Sequence, residues 1–322
     1  MVENSNTAFV FPGQGAQFTG MAMDFYENSA RVRELFSCAS ESTGRDMKKL
    51  LSEGGCEELK RTDNAQLAVT LANLAAAQAL SEHGINAAAA AGHSLGEYAA
   101  LVVAGVISKE DCFRLVKTRG ELMLEAAAMC EEGSGMAAVM GLEGTAVREL
   151  IEQWSGDGLC GLYAANFNSP RQTVISGTKS ALSEAERRFT EAGARRVIRL
   201  RVSGPFHSPL IEEAARRFSP ELEKAVFAAP AIPFFSNVTG GRVRDAAEIK
   251  ALSLAQITAP VRWLDEEQAI AALAGVNRIF EAGPGTVLTG LWRDFRAVNT
   301  EAPECFAAGS IESQAQALQT GD

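Results

Sequence analysis

The chain has 322 residues, 47% apolar and 22% charged, and its 30 Lys and Arg against 40 Asp and Glu leave a net charge of −10. That balance excludes a disordered chain, a collagen and a disulfide-stapled miniprotein; at roughly 150 residues per domain it describes two domains, or one with an insertion, and its acidity argues against nucleic acid as a partner. Six scattered cysteines (Cys38, Cys56, Cys112, Cys130, Cys160, Cys305) without a C-x-x-C pair, a polar Met1–Thr7 start lacking Lys and Arg, and no apolar run near membrane length predict a cytoplasmic protein with no metal site and no membrane segment.

Ala8–Phe11 reads as a short buried strand broken by Pro12-Gly13-Gln14-Gly15. Helix formers fill 20–59, and Asn64–His83 is a long Ala/Leu helix with Gly84 as its C-cap. Ala87–Ala91 is a small-residue strand entering the turn Gly92-His93-Ser94-Leu95-Gly96. Ser108–Cys130 is a helix, with Ser108 as N-cap and Asp111 three residues on.

The rhythm then changes. Strand Met136–Leu142, helix Thr145–Trp154, strands Leu159–Phe167 and Gln172–Ser176, helix Lys179–Ala192 and strand Arg195–Val202 spell β-α-β-β-α-β, the ferredoxin-like order. Residues 133–202 are therefore assigned to an inserted ferredoxin-like subdomain, and 1–132 with 203–322 to the larger core. Beyond it, Ser208 and Pro209 start a helix, Ile232–Asn237 is a strand before the turn Thr239-Gly240-Gly241, and helices flank Pro260. Arg278–Glu281 is a strand, Gly283-Pro284-Gly285 leads to a short helix, and Glu312–Asp322 reads as a frayed polar tail. Strands alternating with helices predict an α/β core with a mostly parallel sheet.

Gly92-His93-Ser94-Leu95-Gly96 fits G-x-S-x-G, a strand–turn–helix elbow that exposes a serine oxygen at a helix N-terminus. A nucleophilic serine needs a base, and only His83, His93 and His207 are available. His83 sits at a helix end and His93 is the serine's own neighbour, so His207 is the candidate by elimination; a plain surface-loop histidine is the alternative. Arg119 falls in the apolar stripe Cys112, Val116, Met123, Ala127, where a guanidinium needs an anion. Either a structural carboxylate (Glu97 or Glu121) or a bidentate substrate carboxylate or phosphate satisfies that need. The loop Pro12–Gly15 can add a backbone N–H beside the elbow. It is no dinucleotide fingerprint, since Phe18 stands where the last glycine would be, and no phosphate-binding G-x-x-x-x-G-K-[ST] occurs.

Seven motifs in order resemble the malonyl-CoA:acyl carrier protein transacylases of fatty-acid synthesis and the related acyltransferase domains of polyketide synthases: Phe11–Gln17, Gly92–Glu97, Arg119, Asn166-Phe167-Asn168-Ser169-Pro170, Val174–Gly177, Ser203–Ser208, and Gln256 with Pro260–Trp263. The resemblance runs from Phe9 to about Ala308. It implies an α/β-hydrolase-like core, a ping-pong transfer of malonyl from malonyl-CoA to the phosphopantetheine thiol of acyl carrier protein, no cofactor and a monomer. It makes Ser94 the nucleophile and His207 its base. The Gln14 and Leu95 amides become the oxyanion hole, Arg119 the holder of the malonyl carboxylate, and Phe206 the residue that leaves little room for an α-branch. Gln256 becomes the residue that orients the histidine through its main-chain carbonyl. Arg171 is the one departure, where many relatives carry a small residue.

Carrier proteins of such families are acidic, so the docking surface is expected at the densest basic cluster, Arg187, Arg188, Arg195, Arg196, Arg199 and Arg201, with a solvated face of ordinary surface arginines as the alternative. The alternatives are an acyltransferase serving a polyketide synthase, an α/β-hydrolase thioesterase, which would place its histidine near the C-terminus, and a non-catalytic carrier-binding module.

Overall fold

The computed structural model describes residues 6–319. Its larger sheet is built from β1 (Thr7–Phe11), β2 (Ala89–Gly92), β7 (Phe234–Ser236), β8 (Gly241–Val243), β9 (Arg278–Glu281) and β10 (Glu304–Ala307), in the order β10-β9-β1-β2-β7-β8. All pairings are parallel except β7 with β8. Burial on both faces explains the composition: β1 and β2 have no exposed position and no polar alternation. β2 is Ala-Ala-Ala-Gly because the helix Gly96–Val103 presses on it; a Cβ on Gly92 would lie 2.1 Å from the carbonyl carbon of Gly96. The core helix Thr62–Glu82 is buried almost all round and packs against Lys109–Met129. Burying one of its leucines contributes roughly 1.5–3 kcal/mol.

The chain proceeds from β1 toward β8 on one side and returns to β9 and β10 on the other. Strand order therefore reverses at β1, and the loops after β1, β2, β7 and β9 share the carboxyl edge where open α/β sheets bind ligands. Asn73 of the buried helix donates to the Pro12 carbonyl at 2.9 Å and anchors one of these loops.

The second sheet has β3 (Gly135–Met140), β4 (Leu162–Ser169), β5 (Gln172–Gly177) and β6 (Arg196–Arg199), ordered β4-β5-β3-β6 and antiparallel throughout. Helices Gly144–Gly156 and Lys179–Glu191 contribute Val147, Ile151, Trp154, Leu182 and Phe189 to its separate apolar cluster. This is the expected ferredoxin-like arrangement. It is stitched to the core beside a bulge in β4, where Val261 exchanges backbone hydrogen bonds with Ala165 and Phe167, each 2.8 Å.

Three expectations are corrected. β10 was not foreseen, because four residues at a sheet edge carry no alternation. The stretch after Thr239 is not only a turn but enters β8. Residues 312–319 do not fray: Ile311–Gln319 is a helix, and Gln314 donates to Ala76 and Ala308 carbonyls, each 3.0 Å. The ends of the two terminal readings, 1–5 and 320–322, lie outside the described residues. Among the described residues no helix is long and apolar enough to cross a membrane.

Candidate active site

The elbow forms where β2 turns into the helix Gly96–Val103. Ser94 sits at φ 50°, in the left-handed region that costs a non-glycine residue about 1–3 kcal/mol. The turn can be this tight because its flanks are glycine: a Cβ on Gly96 would lie 2.0 Å from the Phe11 carbonyl oxygen. A Cβ on Gly13 would lie 2.5 Å from the His93 carbonyl oxygen, so the Pro12–Gly15 loop packs against the elbow.

Ser94 Oγ lies 2.6 Å from His207 Nε2. His207 Nδ1 faces the main-chain carbonyls of Gln256 at 2.8 Å and Ala259 at 3.2 Å. Carbonyls only accept, so Nδ1 carries the proton and Nε2 offers its lone pair to the serine hydroxyl. His207 is buried and itself adopts φ 54°. Burial, with the Arg119 cation second, pushes its pKa down to about 3, leaving the ring neutral at pH 7 with the Nε2 lone pair free to take the serine proton. The surface-loop alternative for His207 is thereby removed. His83 is an exposed helix cap. His93 turns away from the serine, with Nε2 2.8 Å from Asn168 Oδ1 and its ring edge-on to Trp263.

Arg119 is 1% exposed, and its stripe partners Cys112, Val116, Met123 and Ala127 are buried with it. Neither sequence candidate pairs with it: Glu121 reaches Arg45 at 3.6 Å, and Glu97 accepts the Asn237 backbone N–H at 2.7 Å. Its partners are neutral amide oxygens, Gln66 Oε1 at 2.8 Å and Gln256 Oε1 at 3.1 Å, and it stacks 5.6 Å from the Tyr98 ring centroid. Among the described residues its Nε–H has no hydrogen-bond partner. The buried Glu97 carboxyl lies close enough to act on its charge but forms no ion pair with it among the described residues, so a guanidinium hydrogen-bonded only to amides is a site prepared for an anion.

The amides of Gln14 and Leu95 enter no hydrogen bond among the described residues, so both stay available at the elbow. Phe206 is buried, its carbonyl held by Ser176 Oγ. A cleft of about 1530 Å³ between the two sheets reaches His207 and is lined by Arg148, Arg171, Arg195 and Arg262. The basic cluster divides: Arg187 and Arg188 are engaged by Glu184 and Glu191, whereas Arg195, Arg196, Arg199 and Arg201 are exposed and make no ion pair among the described residues.

Sequence reading missed Asn237 and Gln66, and named Asn168 only within a motif, without a role. Asn237 stands at the end of β7 and touches the elbow from the neighbouring strand. Beside it lie two buried carboxyls. Burial pushes Glu97 up to about 7, and burial with the nearby Glu97 charge holds Glu266 well above the usual carboxylate range. Neither Asn237 nor Gln66 has a local signature; only the pairing of β7 with β2 brings Asn237 to Ser94.

The acyl transferase domain model matches residues 8–318. The malonyl CoA-acyl carrier protein transacylase of Salmonella typhimurium is 42% identical over 294 residues, covering 91% of this chain and 93% of that protein. A crystal structure of malonyl-CoA:acyl carrier protein transacylase from Xanthomonas oryzae superposes with TM-score 0.89 at 37% identity over 98% of both chains. A malonyl-transacylase solved in complex with its type II polyketide acyl-carrier protein gives TM-score 0.89 at 36% identity, over 98% of this chain and 99% of that one.

Proposed function

The chain belongs to the acyl transferase family, and from that premise we propose that it moves a malonyl group from malonyl-CoA to the phosphopantetheine thiol of an acyl carrier protein through a malonyl ester on Ser94. The observation that carries the malonyl assignment is Arg119, a buried guanidinium that makes no ion pair among the described residues and shares Gln256 with both Ser94 and His207.

Ser94 Oγ attacks the thioester carbonyl as its proton passes to His207 Nε2. The Gln14 and Leu95 amides receive the oxyanion at the start of the Gly96–Val103 helix, whose dipole favours that charge. The Gln256 carbonyl, a neutral acceptor, keeps Nδ1 protonated and the ring oriented. The tetrahedral intermediate collapses, His207 returns the proton to the CoA sulfur, and the malonyl-serine ester remains. The carrier thiol then attacks the ester by the same steps in reverse order. Arg119 binds the free malonyl carboxylate, and Phe206 limits the room beside the α-carbon. The thioester brings its own activation, so the reading assigns no cofactor and no metal.

Arg171 and Arg195 line the cleft without ion pairs among the described residues and offer cationic partners for the phosphates of CoA and of phosphopantetheine. The acidic carrier is assigned to the adjoining exposed arginines of β6 rather than to the neutralised Arg187 and Arg188. The enzyme acts as a monomer on this reading. A carrier of polyketide synthesis fits the same site, a reading favoured by the similarity to the polyketide carrier complex.

Incubation with malonyl-CoA tests transfer against hydrolysis. Malonyl-carrier is expected when carrier protein is supplied, with little free malonate in its absence. Rapid release of malonate whether or not carrier is present would identify a thioesterase instead. Running fatty-acid and polyketide carriers in parallel separates the two pathways by their relative kcat/KM.

A further inference from the structure

Asn237 is fully buried between the elbow and the helix Trp263–Ala271, and both ends of its side chain are used. Oδ1 accepts the Ser94 backbone N–H at 2.7 Å and the Gln256 Nε2–H at 3.3 Å. Nδ2 donates to the Gly92 carbonyl and to Glu266 Oε1, each at 2.7 Å. This pattern fixes which end is oxygen: the reversed amide would set N–H against the N–H of Ser94 and oxygen against the carbonyl of Gly92. The Asn237 backbone N–H donates to Glu97 Oε2 at 2.7 Å. One residue just past the end of β7 thus grips the elbow before, at and after the nucleophile.

We infer that Asn237 is a positioning residue for the acyl-transfer reaction, setting Ser94 Oγ against His207 by holding the strained serine backbone. A left-handed serine at a strand end has no ladder partner for its N–H, and Asn237 Oδ1 supplies one. Because that amide is occupied, the Leu95 and Gln14 amides are left to receive the oxyanion. The same Oδ1 shares Gln256 Nε2–H with the Ser94 carbonyl, and the Gln256 main chain holds His207. Nucleophile and base are therefore referenced to one pair of interlocked amides. Small errors in such alignment are costly: a displacement of about 1 Å can lower a rate on the order of 10²-fold.

The inference rests on Ser94 being the nucleophile but not on malonyl being the acyl group, so the experiment reads serine reactivity in two ways. In Asn237→Ala and the nearly isosteric Asn237→Asp, the rate of Ser94 acylation at saturating malonyl-CoA and the rate of labelling by a fluorophosphonate are measured per folded molecule, the folded fraction being taken from near-UV circular dichroism. Both rates are expected to fall by about 10- to 100-fold, while KM for malonyl-CoA changes less than about threefold, since Arg119 keeps Gln66 and Gln256. Wild-type rates per folded molecule in either variant would overturn the inference, as would a rise in KM with kcat preserved. Failure of both variants to fold would also overturn it, by making Asn237 a folding determinant. A wild-type protein that is never labelled at Ser94 would instead refute the nucleophile assignment.

Discussion

Arg119→Ala is expected to lower kcat/KM for malonyl-CoA by roughly 10²–10⁴ while costing acetyl-CoA far less. Removing one partner of a buried charge pair costs about 3–5 kcal/mol, and each 1.4 kcal/mol or so is a factor of ten in rate. In the free enzyme the guanidinium hydrogen-bonds only Gln66 and Gln256 and makes no ion pair among the described residues, with Glu97 acting on it only at longer range, so most of the loss from alanine at this site falls on the substrate. Acetyl-CoA has no free carboxylate, and its turnover rises if removing the uncompensated cation eases its entry. Arg119→Lys should recover part of the malonyl activity, since an ammonium carries the charge but not the planar fork that meets both Gln oxygens and a carboxylate. The measurement is kcat/KM for both acyl-CoAs in the three proteins. Equal losses for the two substrates would make Arg119 a structural residue and remove the main support for malonyl.

His207→Ala should slow Ser94 acylation by roughly 10²–10⁴, the range of a lost general base. The pH profile adds a second reading. The imidazole is held down to about 3 by burial and the Arg119 cation, against an ordinary value of about 6.5. Lowering the pH from 7 therefore does not protonate the base until well below the usual histidine range, and wild-type kcat/KM should stay nearly flat from pH 7 to about pH 5. Arg119→Ala removes one depressing charge, so the acid limb of its residual activity should move upward. An acid limb near pH 6.5 in the wild type would show that His207 is more solvated than the geometry indicates.

The fold was largely legible because its strands and helices obey simple periodicities: a buried parallel strand is an unbroken apolar run, and the β-α-β-β-α-β order was audible in the spacing of 136–202. β10 was not, because Glu304-Cys305-Phe306-Ala307 becomes a strand only by pairing with β9, a tertiary event. At the site, Ser94 announced itself through its glycines, His207 through the scarcity of histidine, and Arg119 through its place in an apolar stripe. Gln256 entered only by resemblance. Asn168 stood in a motif of that resemblance without a role, and Asn237 and Gln66 stayed hidden, since a buried amide is identified by what it meets across the fold: Asn237 lies 143 positions from Ser94. The exposed basic cluster showed the converse failure. Sequence counted six arginines alike, but helical spacing set Glu184 and Glu191 against Arg187 and Arg188 and neutralised them.

The most direct test of the mechanism is the site and fate of the covalent label left by malonyl-CoA. Wild-type protein, quenched after brief exposure to malonyl-CoA and digested, should carry a malonyl ester on the peptide containing Ser94, and that ester should vanish as malonyl-carrier forms when holo carrier protein is added before the quench. Ser94→Ala should carry none while keeping the wild-type circular dichroism spectrum. A label on any other residue, or undiminished malonyl-carrier formation by Ser94→Ala, would contradict transfer through a malonyl-serine intermediate.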